Sequence, residues 1–361
     1  MTATLQPTAP TPATTSTDDP LSQVRPRILP CLPVLRRENN IVQLGLDRRH
    51  GVLLDRLSPD QVKTVLRLDG GHTVADLHEL APPEQVDQVL DLLTEAGLLD
   101  QPVGPGAGGR LRSDRATWAL RTGSPPETLI ALREHAAVQV RGRGRLATAI
   151  AGLLATAGVG HVQIETSGAV DVDDLGCGFT EADIGRPRAE AARAHLLRCA
   201  PAVRTETLTG RRRPDLVVLT DWHAPDAELL GRLMTDRVPH LAVRVSEGVG
   251  YVGPFVRAGR GACLQCVELH RGTADPHWPR VSAQLLWRTP PPELSCAQAT
   301  AALAATQVLL ALSWPDNGRV PPPSWSAVLE IDPINASMGK EVLTSHPDCP
   351  CGAGSPHADY M

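Results

Sequence analysis

Hydrophobic positions fall into two patterned regions with different periods. In the first, from about residue 25 to 100, short apolar runs at 41–46 and 52–54 flank Asp47-Arg-Arg-His-Gly51, which predicts a β-hairpin. Three helical periods follow. The first opens at Ser58, with Pro59 at its first position and Gln61 completing a capping box, and carries Val62, Val65 and Leu66. The second begins at Thr73 and carries Val74, Leu77 and Leu80. The third follows Pro82-Pro83, aligns Val86, Val89, Leu90 and Leu93 on one face, and stops at Gly97. A hairpin packed on three short helices predicts a small α+β winged-helix domain. In the second region, from about 116 to 331, strand and helix periods alternate. Strands are predicted at 137–140, 162–165, 216–219 and 241–245, with helices opening at Gly142, near 224–236 and over about 295–312. That alternation implies an α/β domain, Rossmann-like, with a mostly parallel, doubly wound sheet.

Breakers between the regions set the expected domain organisation. Residues 1–24 are Thr/Pro-rich and predict a disordered tail. Residues 25–102 form the winged-helix domain, and 103–115, around Gly104-Pro-Gly-Ala-Gly-Gly109, a linker. Residues 116–331 form the Rossmann-like domain and 332–361 a C-terminal tail. No internal repeat is present. With 361 residues, 42% of them hydrophobic, two packed cores are expected.

Charge and composition narrow the function. The formal net charge is −5, which argues against general binding to nucleic acid or anionic membranes. No apolar run in the pattern reaches the roughly 20 residues that span a bilayer. The N-terminus lacks the basic and apolar segments of a secretory signal, so the chain reads as cytosolic. Lys63 and Lys340 are the only lysines, so none lies between 64 and 339 to contact a phosphate. Winged helices often read DNA, but residues 58–100 hold nine acidic and two basic residues, a local net of −7. The third helix, with Glu84, Asp87, Asp91 and Glu95, would be repelled by phosphate. A sheet edge beside a helix also suits addition of a peptide strand. The edge Val52, Leu53 and Leu54 would then face Val86, Val89, Leu90 and Leu93, although the same four side chains could serve as ordinary core.

Two motifs carry chemistry. Gly142-x-Gly144-x-x-Ala147 follows a predicted strand and opens a helix, where a phosphate could meet backbone N–H groups. Glu165 ends the next strand about 20 residues on, as a ribose-binding acid would. The same turn can exist simply to pack a helix on a strand. Cys263-x-x-Cys266 and Cys349-x-Cys351 are two close pairs, each able to clamp one edge of a tetrahedral zinc ion. Four unmetallated thiols, or a site in which His346 replaces one cysteine, are the alternatives. With 82 residues between the pairs, the metal would staple the tail to the sheet domain. Cys31, Cys177, Cys199 and Cys296 stand alone; Cys296 opens a helix, where a thiol can be acidified, but it reads rather as a buried bystander.

Three stretches together show a resemblance. The segment from Thr180 to Arg193, with Gly185-Arg-Pro-Arg188, resembles the region after the second strand in ThiF-type, ubiquitin-activating-like adenylating enzymes. Gly261-Ala-Cys-Leu-Gln-Cys266 with Asp275-Pro-His-Trp-Pro279, and His346-Pro-Asp-Cys-Pro-Cys351, resemble the zinc half-sites of a ThiF-like subgroup. That subgroup binds leader peptides of ribosomally made, thiazole/oxazole-modified precursors through a winged-helix recognition element. The resemblance implies a precursor leader and a YcaO-type cyclodehydratase as partners, structural Zn²⁺ on Cys263, Cys266, Cys349 and Cys351, and a possible homodimer. It also implies a vestigial nucleotide site at Gly142, Gly144, Glu165, Arg188 and Asp221. Arg145 stands where active members have glycine, Thr166 where they have aspartate, and Arg188 where they have lysine. The segment Asp174-Leu-Gly-Cys-Gly178 lacks the arginine that active members aim at phosphate, and Asp221 is the one candidate Mg²⁺ ligand. Binding of ATP is therefore not expected, and the chain reads as a scaffold. The alternatives are a divergent adenylating enzyme acting on a peptide or small-protein C-terminus, and a nicotinamide-dependent oxidoreductase.

Overall fold

The structure, a computed structural model, describes residues 2–4, 24–100, 111–123, 126–208, 212–220, 226–285, 290–317, 321–351 and 353. The chain divides into two units, Met1–Ile130 and Ala131–Met361.

The first unit holds β1 (Thr2–Thr4), β2 (Arg27–Ile28), β3 (Val34–Glu38), β4 (Ile41–Leu44) and β5 (Val52–Asp55). Helices α1 (Pro59–Leu66), α2 (Val74–Leu80) and α3 (Pro83–Glu95), the short β6 (Leu99–Asp100) and α4 (Arg112–Thr122) follow. The expected hairpin is β4–β5, with Gln43 opposite Leu53 and Leu44 opposite Val52. Strand β3 extends it into an antiparallel meander, and β1 adds in parallel outside β5. Thus Thr2–Thr4, inside the stretch expected to be a tail, is a strand. The capping box forms: Gln61 N donates to Ser58 Oγ at 3.1 Å and Ser58 N donates to Gln61 Oε1 at 2.9 Å. Helix α3 ends as expected, with Gly97 at φ 66° and Leu98 N donating to Leu93 O at 2.9 Å. One core joins Val42, Leu44 and Leu54 of the sheet to Val62, Val65 and Leu77 of the helices. Ala116 of α4 packs into that core, and Arg115 pairs with Asp100 at 3.0 Å, both side chains buried. The Gly104–Gly109 breaker lies outside the described residues.

Helix α5 (Pro126–His135) leads into the second unit. There β7 (Ala137–Arg141), α6 (Gly144–Thr156), β8 (His161–Glu165), α7 (Arg188–Cys199), β9 (Leu216–Thr220), α8 (Ala227–Thr235) and β10 (His240–Ser246) alternate as the sequence predicts. Then come β11 (Val249–Val256), α9 (Leu264–Ala274), α10 (Trp278–Leu285), α11 (Leu294–Asn317), β12 (Ala327–Asp332) and β13 (Ser337–Val342). They build one seven-stranded sheet, ordered β13-β12-β11-β10-β9-β7-β8. The sheet is parallel only from β8 to β10; β10 to β13 pair antiparallel. The mostly parallel sheet read from the sequence is thus corrected to a mixed one. Strand β13 falls in the segment expected to be a tail. Helix α11 has 24 residues, and its stretch Leu294–Trp314 is long and apolar enough to cross a bilayer. That stretch escaped the pattern because alanines carry much of it. Here α11 is a core helix, packed on α6 and on β10 and β11. Ala297, Ala301 and Ala304 are wholly buried, and small residues of this kind permit close approach.

Candidate functional site

The glycine turn is closed by the protein's own side chains. Gly142, at φ 148°, comes so close to β9 that a Cβ there would collide with Thr220 Oγ1. Its glycine is therefore required by packing alone. Gly144, at φ 72°, opens α6, and a Cβ there would lie 3.1 Å from Asp174 Oδ1. A carboxylate thus approaches the helix end where a phosphate would sit. Arg188 gives its Nε and Nη2 to Asp174 Oδ2 at 3.0 and 2.8 Å, and also bonds Ser167 O. Both partners are buried, so neither charge is left over for a ligand. Glu165 takes Arg141 at 2.5 Å. Arg145 donates to Leu175 O at 2.6 Å and Pro292 O at 2.9 Å, tying the 174–178 loop and the approach to α11 over the turn. Among the described residues, a cavity of about 160 Å³ remains, lined by Asp171, Asp173, Asp174, Arg143 and Arg188. That is below the roughly 300 Å³ at which ligand pockets begin. Asp221 lies outside the described residues.

The four paired cysteines meet. Cys263 is the residue before α9 and Cys266 lies in its first turn, while Cys349 and Cys351 arrive from beyond β13. Sγ separations are 3.7 Å for Cys263–Cys266, 3.6 Å for Cys263–Cys349 and 3.7 Å for Cys266–Cys351, and all four lie within 4.8 Å of one another. A tetrahedron with Zn–S of about 2.3 Å has edges of about 3.8 Å, so the donor set fits zinc. Burial pushes the thiols of Cys263 and Cys349 up, the latter to about 11. Burial also opposes ionisation of Cys266, but hydrogen bonds from His346, Cys263, Cys349 and Cys351 outweigh it and hold this thiol low. A cation is what makes four thiolates tolerable in one place. His346 stands beside the cluster, its ring edge-on to His270 at 4.8 Å, and the four sulfurs assemble without it. Cys296 is buried and burial raises its pKa, in keeping with a bystander rather than an acidified thiol at a helix start.

The proposed peptide edge is divided. Val52 and Leu53 are half-buried on β5, and Leu54 points into the core. Val86, Val89 and Leu93 are also core side chains, between 0 and 1% exposed, which leaves Leu90 as the accessible apolar residue of that stripe. On the outer side of β5, Thr2 sits opposite Leu53 and Thr4 opposite Asp55.

Residues 126–352 match the ThiF family. The chain belongs to the ThiF family. No curated protein sequence matches it significantly. Among solved structures, Escherichia coli MccB with MccA-N7isoASN superposes at a TM-score of 0.66 and 15% identity, covering 91% of this chain and 99% of MccB. MccB with ATP superposes at 0.64, also at 15% identity, with 91% and 99% covered. A heterocyclase solved with substrate and cofactor gives 0.62 at 17% identity, covering 92% of this chain but only 39% of that one. These identities establish a shared fold.

For a ThiF-family chain, the residues that decide the glycine turn include three to which sequence reading gives no such role. Thr220 explains Gly142, Asp174 neutralises Arg188, and Arg145 is a strap rather than a mere intrusion. The signal for Asp174 was the missing arginine in its loop; its contact with Arg188 has no periodicity to betray it.

Proposed function

We propose that this ThiF-family chain is a non-catalytic, peptide-binding subunit. It takes the leader of a ribosomally made precursor and presents the remainder to a separate YcaO-type cyclodehydratase for azoline and azole formation. The observation that carries this reading is the internal pairing of Arg188 with Asp174 and Glu165 with Arg141, which engages two of the expected nucleotide contacts within the protein. The neighbours support it: MccB is solved with MccA peptides, and the heterocyclase with its substrate. The 61% of the heterocyclase chain with no counterpart here is room for an activity that this chain would recruit from a partner.

The leader would add as a strand on β5, main chain to main chain, with Leu53 and Leu90 as side-chain contacts. Strand β1 holds that edge, so the leader would displace it. The full metal-loaded chain, used as bait in its native host, is expected to retain a short ribosomal peptide with a Cys/Ser/Thr-rich end together with a YcaO-type enzyme. Leu53→Asp with Leu90→Asp should lose the peptide while keeping the metal; Val89→Asp would merely unfold the core. Deletion of residues 2–4 should raise affinity for the captured peptide severalfold and speed amide exchange along β5. Unchanged capture by the folded double variant overturns this edge.

The second reading is an ATP-dependent adenylating enzyme, favoured by the match to nearly the whole of MccB, which is solved with ATP. Mg-ATP-dependent pyrophosphate exchange, or capture of a small carrier ending in Gly-Gly without a modifying partner, would establish it. The homodimer expected from the resemblance is read by solution mass.

A further inference from the structure

Away from both motifs, the antiparallel half of the sheet carries a charged row. Arg244 on β10 pairs across to Tyr251 on β11, and Tyr251 to Glu330 on β12, so the three side chains share one face. Helix α9 covers that face incompletely, leaving a cavity of about 510 Å³ between α9 and strands β10–β13. A second cavity of about 380 Å³ adjoins it, lined by Trp278 and Leu285 of α10, and Arg244 and Arg271 line both.

The two guanidiniums are unequally satisfied. Arg271 lies over Trp278 at 4.9 Å and meets Glu268 at 3.3 Å. Glu268 also accepts from Trp278 Nε1 at 2.8 Å and Ser282 Oγ at 3.1 Å. Arg244 lies over Tyr251 at 4.4 Å, and no carboxylate among the described residues comes within ion-pair distance of it. Glu330 is two strands away, about 10 Å. Burial, and then the nearby Arg271, lower the Arg244 pKa by more than the fields of Tyr251, Glu268 and Glu341 raise it. A planar guanidinium held flat by a ring, and without an ion pair among the described residues, suits a bidentate carboxylate. Glu268, Glu330 and Glu341 line the same cavity, and Glu268 already pairs with Arg271. With three carboxylates in the lining, a single negative charge is tolerated better than a phosphate dianion.

We propose that this cavity is a carboxylate-recognition site, in which Arg244 and Arg271 together grip one carboxylate of an extended peptide. The apolar wall of Val267, Val328 and Leu343 takes its side chains, and the paired cavities give the chain a passage past the arginines. The inference does not depend on leader binding at β5.

The test uses the full metal-loaded chain and three probes: N-acetyl-Ala-Leu-Ala as the free acid, the same peptide as its C-terminal amide, and N-acetyl-Ala-Asp-Ala amide. Calorimetric titration is expected to show the free acid or the aspartyl peptide binding about tenfold or more above the plain amide. Which of the two wins tells a chain terminus from an acidic side chain. Arg244→Met, which keeps the stacked stem, should erase that preference with metal content and Tm unchanged. Arg271→Met serves the same purpose if the first variant fails to fold. Equal binding of acid and amide, no binding of either carboxylate at millimolar concentration, preference for inorganic phosphate, or a preference that survives both substitutions would each overturn the site.

Discussion

The cysteine cluster and the glycine turn are opposite kinds of site within one sheet domain. At the turn the charges that would meet a nucleotide are taken internally: Asp174 pairs with Arg188, Glu165 with Arg141, and Arg145 bonds two carbonyls. At the cluster four sulfurs are gathered and satisfy one another only weakly, because thiols are feeble donors and thiolates repel. The turn is chemically finished and the cluster is chemically incomplete. A residue pattern therefore says little about binding until its mutual accounts are known. Two glycines at the expected spacing point to a nucleotide, yet the folded protein has already spent the surrounding charges. Two cysteine pairs point to a metal, and nothing in the fold offers them anything else.

The sharpest way to break this comparison is at the cluster. Cys349→Ser with Cys351→Ser should abolish one bound zinc per chain, read by elemental analysis, and lower the unfolding temperature by well over ten degrees. Structural zinc contributes on the order of 10 kcal/mol in small peptides, and chelation of the parent protein should act in the same direction. Full stability in excess chelator would show that the cluster is complete without a metal.

A smaller effect is expected at the turn. Asp174→Ala strands a buried guanidinium and should cost about 3–5 kcal/mol in urea unfolding. Asp174→Ala with Arg188→Met should recover most of that loss. If Asp174→Ala instead leaves stability intact and gains Mg-ATP binding, the turn is a masked nucleotide site and the contrast fails.

The smallest effect concerns Glu293, just before α11 and beside the Arg145 strap. Hydrogen bonds from the Ser295 side chain, and then from the Ser295 and Cys296 backbone, hold its carboxyl down at about 2. A depressed carboxylate stabilises above its ordinary value of 4.5 and loses that contribution as pH falls toward 2. Glu293→Gln should therefore be slightly less stable than the parent at pH 7, with the gap closing between pH 4.5 and 2. A gap independent of pH would deny the carboxylate this role.

Much of the frame was legible. Strands β7, β8, β9 and β10 lie within one or two residues of the apolar runs that predict them, because buried central strands read as unbroken Val/Leu/Ala. The capping box at Ser58 and the stop at Gly97 were local signals and formed locally. Strand β13 was not legible: all six of its residues are exposed, so no alternation marks it. A sequence with no buried face at the sheet edge looks like a tail. The stripe Val86, Val89, Leu90 and Leu93 was read correctly as a face, but periodicity cannot say whether a face meets the protein's own sheet or a guest. Three of the four are buried in the protein's own core, on the helix that packs against α1 and α2. Strand β1 was hidden for another reason, since Thr-Ala-Thr gives main-chain hydrogen bonds without an apolar signature. The cysteine pairs were legible at full resolution because their spacing is itself the chemistry. The Arg244 row was invisible, since it needs three strands placed side by side.

One feature of the cluster bears on what damage does to this protein. Its two halves come from positions 86 residues apart, from Cys263 to Cys349, and the stretch between them includes α10, α11 and two sheet strands. With a metal in place, a single cut in that stretch would open the chain without releasing either fragment. The protease-nicked molecule would migrate as one body until the metal was withdrawn, and would then fall into two pieces.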